Sequence, residues 1–435
     1  MKQPPRGLIG RAIGYFAVRE FIPLYGVYSL LFRDSGLSTG QISTLLVIWS
    51  VTSFAMEVPS GAWADSVSRR GLLALSSLLY ALGFSLWTAV PGYPGFAAGF
   101  VLWGSSGALM SGTFEALLYD ELVAASATER YAAVMGWANA SAMIAALLGT
   151  LLGTPLYDIG GYRLVGWVSV AVALAQLVLA WSLPAASAAD PTPIPPLPAT
   201  PPADPAPIAC PPLPPDSFRR RYAGVLLAGL SEVARDQVLR RGLLVMALLL
   251  GLLAYDEYFP IVAREDGAAT GTVPLLMALT VLGEVGGTAL AGRTAAMRNS
   301  TMSVALTAAG VLIATGIWAG QVAGTWAGRW AGASVAEWAG FALVGLGYGI
   351  THNAIVVAEA RLQDAMSGAA RATVTSVSGL LSEIVTVSVF GVFAVGSSWF
   401  AVSTVLMAMT VPMLGIASIL RRWLPTSSRQ ATATE

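Results

Sequence analysis

Glu57-Val58-Pro59-Ser60-Gly61-Ala62-Trp63-Ala64-Asp65-Ser66-Val67-Ser68-Arg69-Arg70 closes one apolar run, 40–62, and leads into the next, 72–92. Each run has the ~20 residues that carry a helix across a bilayer. The connection is short, small and charged. It reads as a surface turn between two membrane-spanning helices, which satisfy their own backbone hydrogen bonds in hydrocarbon.

Further runs lie on either side, at 12–32, 95–119, 131–155 and 163–183, then at 242–263, 272–292, 300–322, 334–358, 373–396 and 398–420. Twelve spans in 435 residues leave roughly 36 residues for each helix with its loop. The chain is 55% apolar and 11% charged, against about 25% charge in soluble proteins. That excludes a soluble enzyme, a disordered chain and a disulfide scaffold; Cys210 is the sole cysteine. Lys+Arg and Asp+Glu are both 24, so no basic excess exists to hold nucleic acid. No cleavable signal peptide is expected, since the apolar stretch after the basic Met1–Arg11 runs on as a full span. No Walker A, HExxH, CxxC or GxSxG pattern occurs. The expectation is no enzymatic activity, no cofactor and no metal.

Residues 184–216 are dense in proline and read as a polyproline-like or disordered spacer. Residues 217–241 alternate arginine and apolar positions at helical spacing. They read as an amphipathic helix, either on the membrane surface with Val225, Leu226, Leu230, Val233 and Val238 buried, or packed on the ends of the spans. The expected organisation is a six-helix bundle over 1–183, the linker, that helix, and a second bundle over 242–435. With the N-terminus inside, 19 of the 24 basic residues fall in inner loops and tails; Arg33, Arg163, Arg264 and Arg329 fall outside, and Arg19 lies within a span. This bias predicts both termini and the linker on the cytoplasmic side of a cell (inner) membrane.

Three pieces of the first half recur, in order, in the second. Glu20-Phe21-Ile22-Pro23-Leu24 of span 1 matches Glu257-Tyr258-Phe259-Pro260-Ile261 of span 7; Glu57-Val58 of span 2 matches Glu284-Val285 of span 8; Glu115 to Asp120 of span 4 matches Glu359 to Asp364 of span 10. The opening stretch fits G-x-x-x-D-x-x-x-R-R/K from Gly61 to Arg70, and E-x-P-[ST]-G-x-x-A-D from Glu57 to Asp65. Here the sequence resembles the major facilitator superfamily over nearly its whole length, and within it a bacterial, efflux-like branch with a Tyr-Asp pair ending span 4 (Tyr119, Asp120). The resemblance implies an all-α membrane protein of twelve transmembrane helices in two pseudo-symmetric six-helix bundles. It also implies a gating latch in which Asp65 faces the start of span 11 and Arg69 pairs with Asp120. Gly61, Arg70 and, from the second half, Asp364 complete the latch group. The second-half loop keeps only Gly292-Arg293.

Ionisable groups at bilayer depth are costly and mark functional sites by default. Spans 3, 6, 9 and 12 carry none, which makes them the lipid-facing helices. Arg19 and Glu20 lie near the middle of span 1 beside Pro23, and Asp256 and Glu257 lie in span 7 beside Pro260. Glu284 lies in span 8, His352-Asn353 in span 10 and Glu383 in span 11. Burial and a nearby cation act oppositely on a carboxyl, the tunability that proton coupling needs. Glu20, then Glu257 and Glu383, are the first candidates; a fixed ion pair between halves is the other reading. Adjacent residues point ~100° apart, so one of Arg19 and Glu20 faces a cavity squarely. His352-Asn353 reads as a hydrogen-bonded polar pair, or as a relay or substrate contact. Glu57, Glu115 and Glu359 sit near the inner ends and read as a gate network with Arg69, Arg130 and Arg371. Phe21, Tyr25, Tyr28 and Phe32 form a stripe, for packing or for stacking an apolar or cationic substrate. Gly149 and Gly153 of span 5 permit close helix contact.

The expected function is a monomeric secondary transporter in the lipid bilayer, coupling protons to the export of small organic compounds by rocking two halves. Proton-driven uptake of a small polar solute is one alternative. A scaffold that recruits a partner through Pro193 to Pro198 is another.

Overall fold

The structure is a computed structural model that describes residues 6–184, 236–326, 333–365 and 371–425. The Pro-rich linker and most of the expected amphipathic helix lie outside the described residues. The end of that helix, 237–241, instead opens span 7: Gln237–Leu252 is one helix, N-capped by the Asp236 carboxylate, which accepts the N–H of Val238 at 2.8 Å. An acidic cap at a helix start satisfies donors that have no partner in the first turn.

Nine helical segments among the described residues are long and apolar enough to cross a bilayer. One of them, Tyr131–Ser182, leaves helical geometry at Gly160 and Gly161 and holds spans 5 and 6. Gly161 has φ 58 and ψ −161, a backbone region open essentially to glycine. The remaining two crossings, spans 1 and 4, are interrupted helices and are not among the nine. Span 1 is Arg6–Glu20, a 3₁₀ turn Pro23–Gly26 and Tyr28–Asp34. Span 4 is Tyr93–Met110 and Thr113–Ala124, bent where Gly112 takes φ 73. The other spans are 2 (Thr39–Ser66), 3 (Arg69–Ala89), 8 (Val273–Thr294), 9 (Asn299–Trp326), 10 (Ala333–Ala365), 11 (Arg371–Gly396) and 12 (Val402–Ala408 with Thr410–Trp423). Span 7 continues through a 3₁₀ stretch, Leu253–Tyr258, into Phe259–Glu265.

The packing repeats between halves. Span 1 packs on 5, 2 on 4, 3 on 4 and 6; correspondingly 7 packs on 11, 8 on 10, 9 on 10 and 12. The halves meet through two equivalent seams, 2 against 11 and 5 against 8. This is an all-α membrane protein of twelve spans in two pseudo-symmetric bundles. Spans 3, 6, 9 and 12 turn large apolar side chains outward, among them Leu78, Trp167, Val304 and Val411; such a surface suits lipid and not water. Small residues bring helices together. Gly283 and Gly287 of span 8 lie directly on Gly345 and Gly349 of span 10, with no room for a methyl group. Gly149 of span 5 rests on the backbone of Phe21 and Ile22, and Gly153 on the carbonyl of Pro23 and the ring of Pro274.

Candidate functional site

Two prolines build the site. Pro23 has no N–H for the carbonyl of Arg19, four residues back, and span 1 breaks there. The freed groups find partners on neighbouring spans: Tyr80 donates to the Arg19 carbonyl at 3.2 Å, and the N–H of Leu24 donates to Ser169 at 3.1 Å. Glu20 ends the first segment at the break. Pro260 does the same in span 7, after the 3₁₀ stretch that carries Asp256 and Glu257. The breaks face each other across the interface of the halves. Between them lies a cavity of about 320 Å³ lined by Glu20, Asp256, Glu257, Glu284, Tyr25, Tyr28, Trp49, Trp103, Phe259 and Tyr348. Glu257 accepts a hydrogen bond from Tyr28, tying span 7 to span 1.

Of the Arg19-Glu20 pair, Glu20 takes the central cavity. Arg19 is 7% exposed and sits among spans 1, 3 and 4. Its guanidinium lies 4.7 Å from the Tyr80 ring centroid, 3.4 Å from the Ser106 hydroxyl and 4.0 Å from the Glu20 carboxylate. An unpaired buried charge is expensive, so Arg19 needs the Glu20 carboxylate nearby. Asp256 accepts from Tyr348, whose ring packs 4.5 Å from His352. His352 Nδ1 lies 3.8 Å from Glu284. Asp256, Tyr348, His352 and Glu284 are thus one polar chain across spans 7, 10 and 8. Asn353, paired with His352 in the sequence reading, turns away from it. It donates to the Gly287 carbonyl at 2.9 Å and accepts from Thr294 at 3.0 Å, clipping span 10 to span 8.

A second compartment of about 390 Å³, sharing Trp49 and Trp103 with the first, is lined by Arg19, Glu57, Ser53 and Glu383. Glu383 accepts from Ser50 across the seam of spans 2 and 11. A third, about 500 Å³ and sharing Glu20 and Glu284, runs between spans 1, 5 and 8 past Asn139 and Thr288. These compartments extend from the centre towards the end that carries the chain termini. At the opposite end the halves are held together. Arg33 lies 3.4 Å from Glu265, Ser43 bonds Tyr258 at 2.7 Å, and Pro274 fills the space beside Gly26 and Gly153.

Of the expected gate network, the described side chains are placed as follows. Glu57 lines the second compartment, and among the described residues it forms no ion pair. Glu359 and Asp364 are exposed, Arg130 is exposed, and one Glu115 oxygen is buried without a partner. Arg69 donates to Asp120 and to the Ala116 carbonyl at 3.2 Å. Arg70 lies 5.4 Å from the Trp181 ring, and Gly61 is exposed. The side chains of Asp65 and Arg371 lie outside the described residues. In the second half the equivalent joint is made in reverse: Arg361 of span 10 reaches the loop between spans 8 and 9, donating to Asn299 and to the carbonyls of Ala295 and Met297. A cation from the helix replaces a cation from the loop. The sequence comparison passed over it because Arg361 stands where the first half has Leu117. Trp49, Trp103 and Tyr348 were also missed; helices apolar on every face give no periodic signal for the one facing the cavity.

A family model described as the Major Facilitator Superfamily matches residues 8–384. No curated protein sequence matches the chain. Solved structures with a similar fold include the nucleoside transporter NupG (11% identity, 95% of this chain and 97% of that one, TM-score 0.67). They also include a D-xylose-proton symporter (13% identity, 97% and 98%, TM-score 0.64). A third is an auto-inhibited POT family peptide transporter (15% identity, 98% of each, TM-score 0.68).

Proposed function

The chain belongs to the Major Facilitator Superfamily, and from that premise we propose that it is a proton-coupled transporter that exports a small organic compound by alternating access. One observation carries the reading: four carboxylates from both halves converge on one cavity at the breaks of spans 1 and 7. Carboxylates there can take protons from one side and release them to the other as the halves rock. Glu20 and Glu257 are the coupling groups in the cavity, with Glu383 on the seam. The Arg69–Asp120 contact belongs to the latch at the terminal end. The basic bias of the loops supports placing that end in the cytoplasm of a cell with the protein in its inner membrane; the cavity then opens inward.

Proteoliposomes with an imposed pH gradient and a compound panel test this. Glu20→Gln, Glu257→Gln and Glu383→Gln are each expected to lower gradient-driven transport at least ~10-fold. Full transport by all three overturns the coupling assignment. Uptake is the second reading, and a proton symporter is among the similar folds; movement of compound and protons in the same direction would establish it. Deleting residues 186–214 is expected to leave transport intact, which a scaffold role for the linker does not predict.

A further inference from the structure

The charge balance of the central cavity points to a class of cargo. Glu20, Asp256, Glu257 and Glu284 line it, and its described lining holds no Lys, Arg or His and no amide side chain. Arg19 is turned towards spans 3 and 4, over the Tyr80 ring. The tyrosine hydroxyls that could serve a neutral polar solute are already engaged, Tyr28 on Glu257 and Tyr348 on Asp256. Facing the carboxylates is an aromatic wall: Trp103 packs 5.5 Å from Tyr25 and 5.4 Å from Trp49, with Tyr28 beside them.

We propose that the cargo is an organic cation, an amine or onium group on an apolar or aromatic body, held between Glu20 and Glu284 and the Tyr25–Trp49–Trp103 wall. This rests on the transporter reading above. An anion would meet four acidic side chains, and the one cation beside them, Arg19, is already 4.0 Å from Glu20 and turned towards spans 3 and 4. A cation neutralises carboxylates that burial otherwise penalises, while aromatic rings attract it. A cavity of about 320 Å³ suits a small drug-sized compound. The same carboxylates then hold either protons or the cation, so proton loading expels the cargo. Exchange follows from competition for one set of groups.

The test uses full-length protein in nanodiscs and two probes of one shape and opposite charge, tetraphenylphosphonium and tetraphenylborate. Phosphonium is expected to bind about 10-fold or more tighter than borate, and more weakly at pH 5.5 than at pH 8. In the Glu20→Gln/Glu284→Gln variant that preference should shrink to about 3-fold or less. Trp49→Leu should weaken phosphonium alone, and an unchanged melting temperature shows that each variant is folded. Equal or tighter binding of borate overturns the inference, as does phosphonium binding that ignores the carboxylates in a folded variant. A pH gradient that drives a neutral or anionic compound through a protein blind to phosphonium overturns the cargo class and leaves the transporter reading standing. Carboxylate-dependent phosphonium binding with no gradient-driven transport of any compound supports the cation site and overturns proton coupling.

Discussion

At the scale of single residues, Tyr28 and Glu257 separate structure from coupling. Glu257→Gln keeps an oxygen that accepts the Tyr28 hydroxyl but removes the titratable charge. Tyr28→Phe keeps the charge and strips its donor, and an unsatisfied buried group costs about 1–3 kcal/mol. Scanning fluorimetry should therefore show Tyr28→Phe melting below wild type and Glu257→Gln close to it, while the transport assay ranks Glu257→Gln as the worse. Outside the spans, Asp266 is 5% exposed and neither carboxylate oxygen has a hydrogen-bond partner. Burial first, then the Glu265 and Glu337 carboxylates, push its pKa up to about 7 from 3.8. A native value above the unfolded one means that the folded protein holds this proton more tightly. Stability from this group then falls as pH rises from about 4 to 7. Asp266→Asn should raise Tm at pH 8 by ~2 °C or more and change it little at pH 4. An equal gain at both pH values would mean that titration is not the cause.

At the scale of helices, close crossings set what the spans tolerate. Gly287→Val puts a branched side chain against the Gly349 carbonyl. Overpacking of this kind costs about 1–3 kcal/mol or more, so the yield of monodisperse protein should fall, whereas exposed Gly286→Ala nearby, with open space around it, should not. These crossings also show what the sequence made legible. Pro23, Pro260 and the acids beside them marked the breaks, because a proline that removes a hydrogen bond and a charge in hydrocarbon are both visible without knowing the neighbours. Gly149 and Gly153 were legible as a contact surface, but not their partners, the backbone of Phe21 to Pro23 and the ring of Pro274, which come from two distant segments. Asn353 was legible as a polar residue within the bundle. Its partners, the Gly287 carbonyl and Thr294, lie about 60 residues away in sequence, so nothing local separated a clip from a relay. Tyr348 and Trp103 looked like any other aromatic in an apolar helix.

For the whole molecule the question is what holds this state, with the terminal end open to the cavity and the far end shut. The far seal has a surface part and a buried part. Arg33–Glu265 is the surface part: the side chains are 36% and 18% exposed. Such a pair contributes at most about 1 kcal/mol, a population shift of roughly 5-fold. The buried part is Ser43–Tyr258 together with Tyr28–Glu257, which bridges the halves at the cavity where span 7 breaks. The latter also involves a proposed coupling carboxylate, so protonating Glu257 weakens the seal as well as the charge: a protonated acid accepts the tyrosine hydroxyl less strongly than a carboxylate does. Glu257 then holds its proton more tightly with the far end open, the side from which an exporter takes protons up, than with it shut. A Cys210→Ser background with Thr280→Cys, a cavity-lining position, reads this out with an impermeant maleimide added from either side. Without further change, labelling should come mainly from the terminal side. Arg33→Ala should raise far-side labelling by up to ~5-fold, Tyr28→Phe by more, and acidification should mimic Tyr28→Phe while adding little to it. If acid opens the far end equally in the Tyr28→Phe variant and its parent, the seal is not what the proton releases.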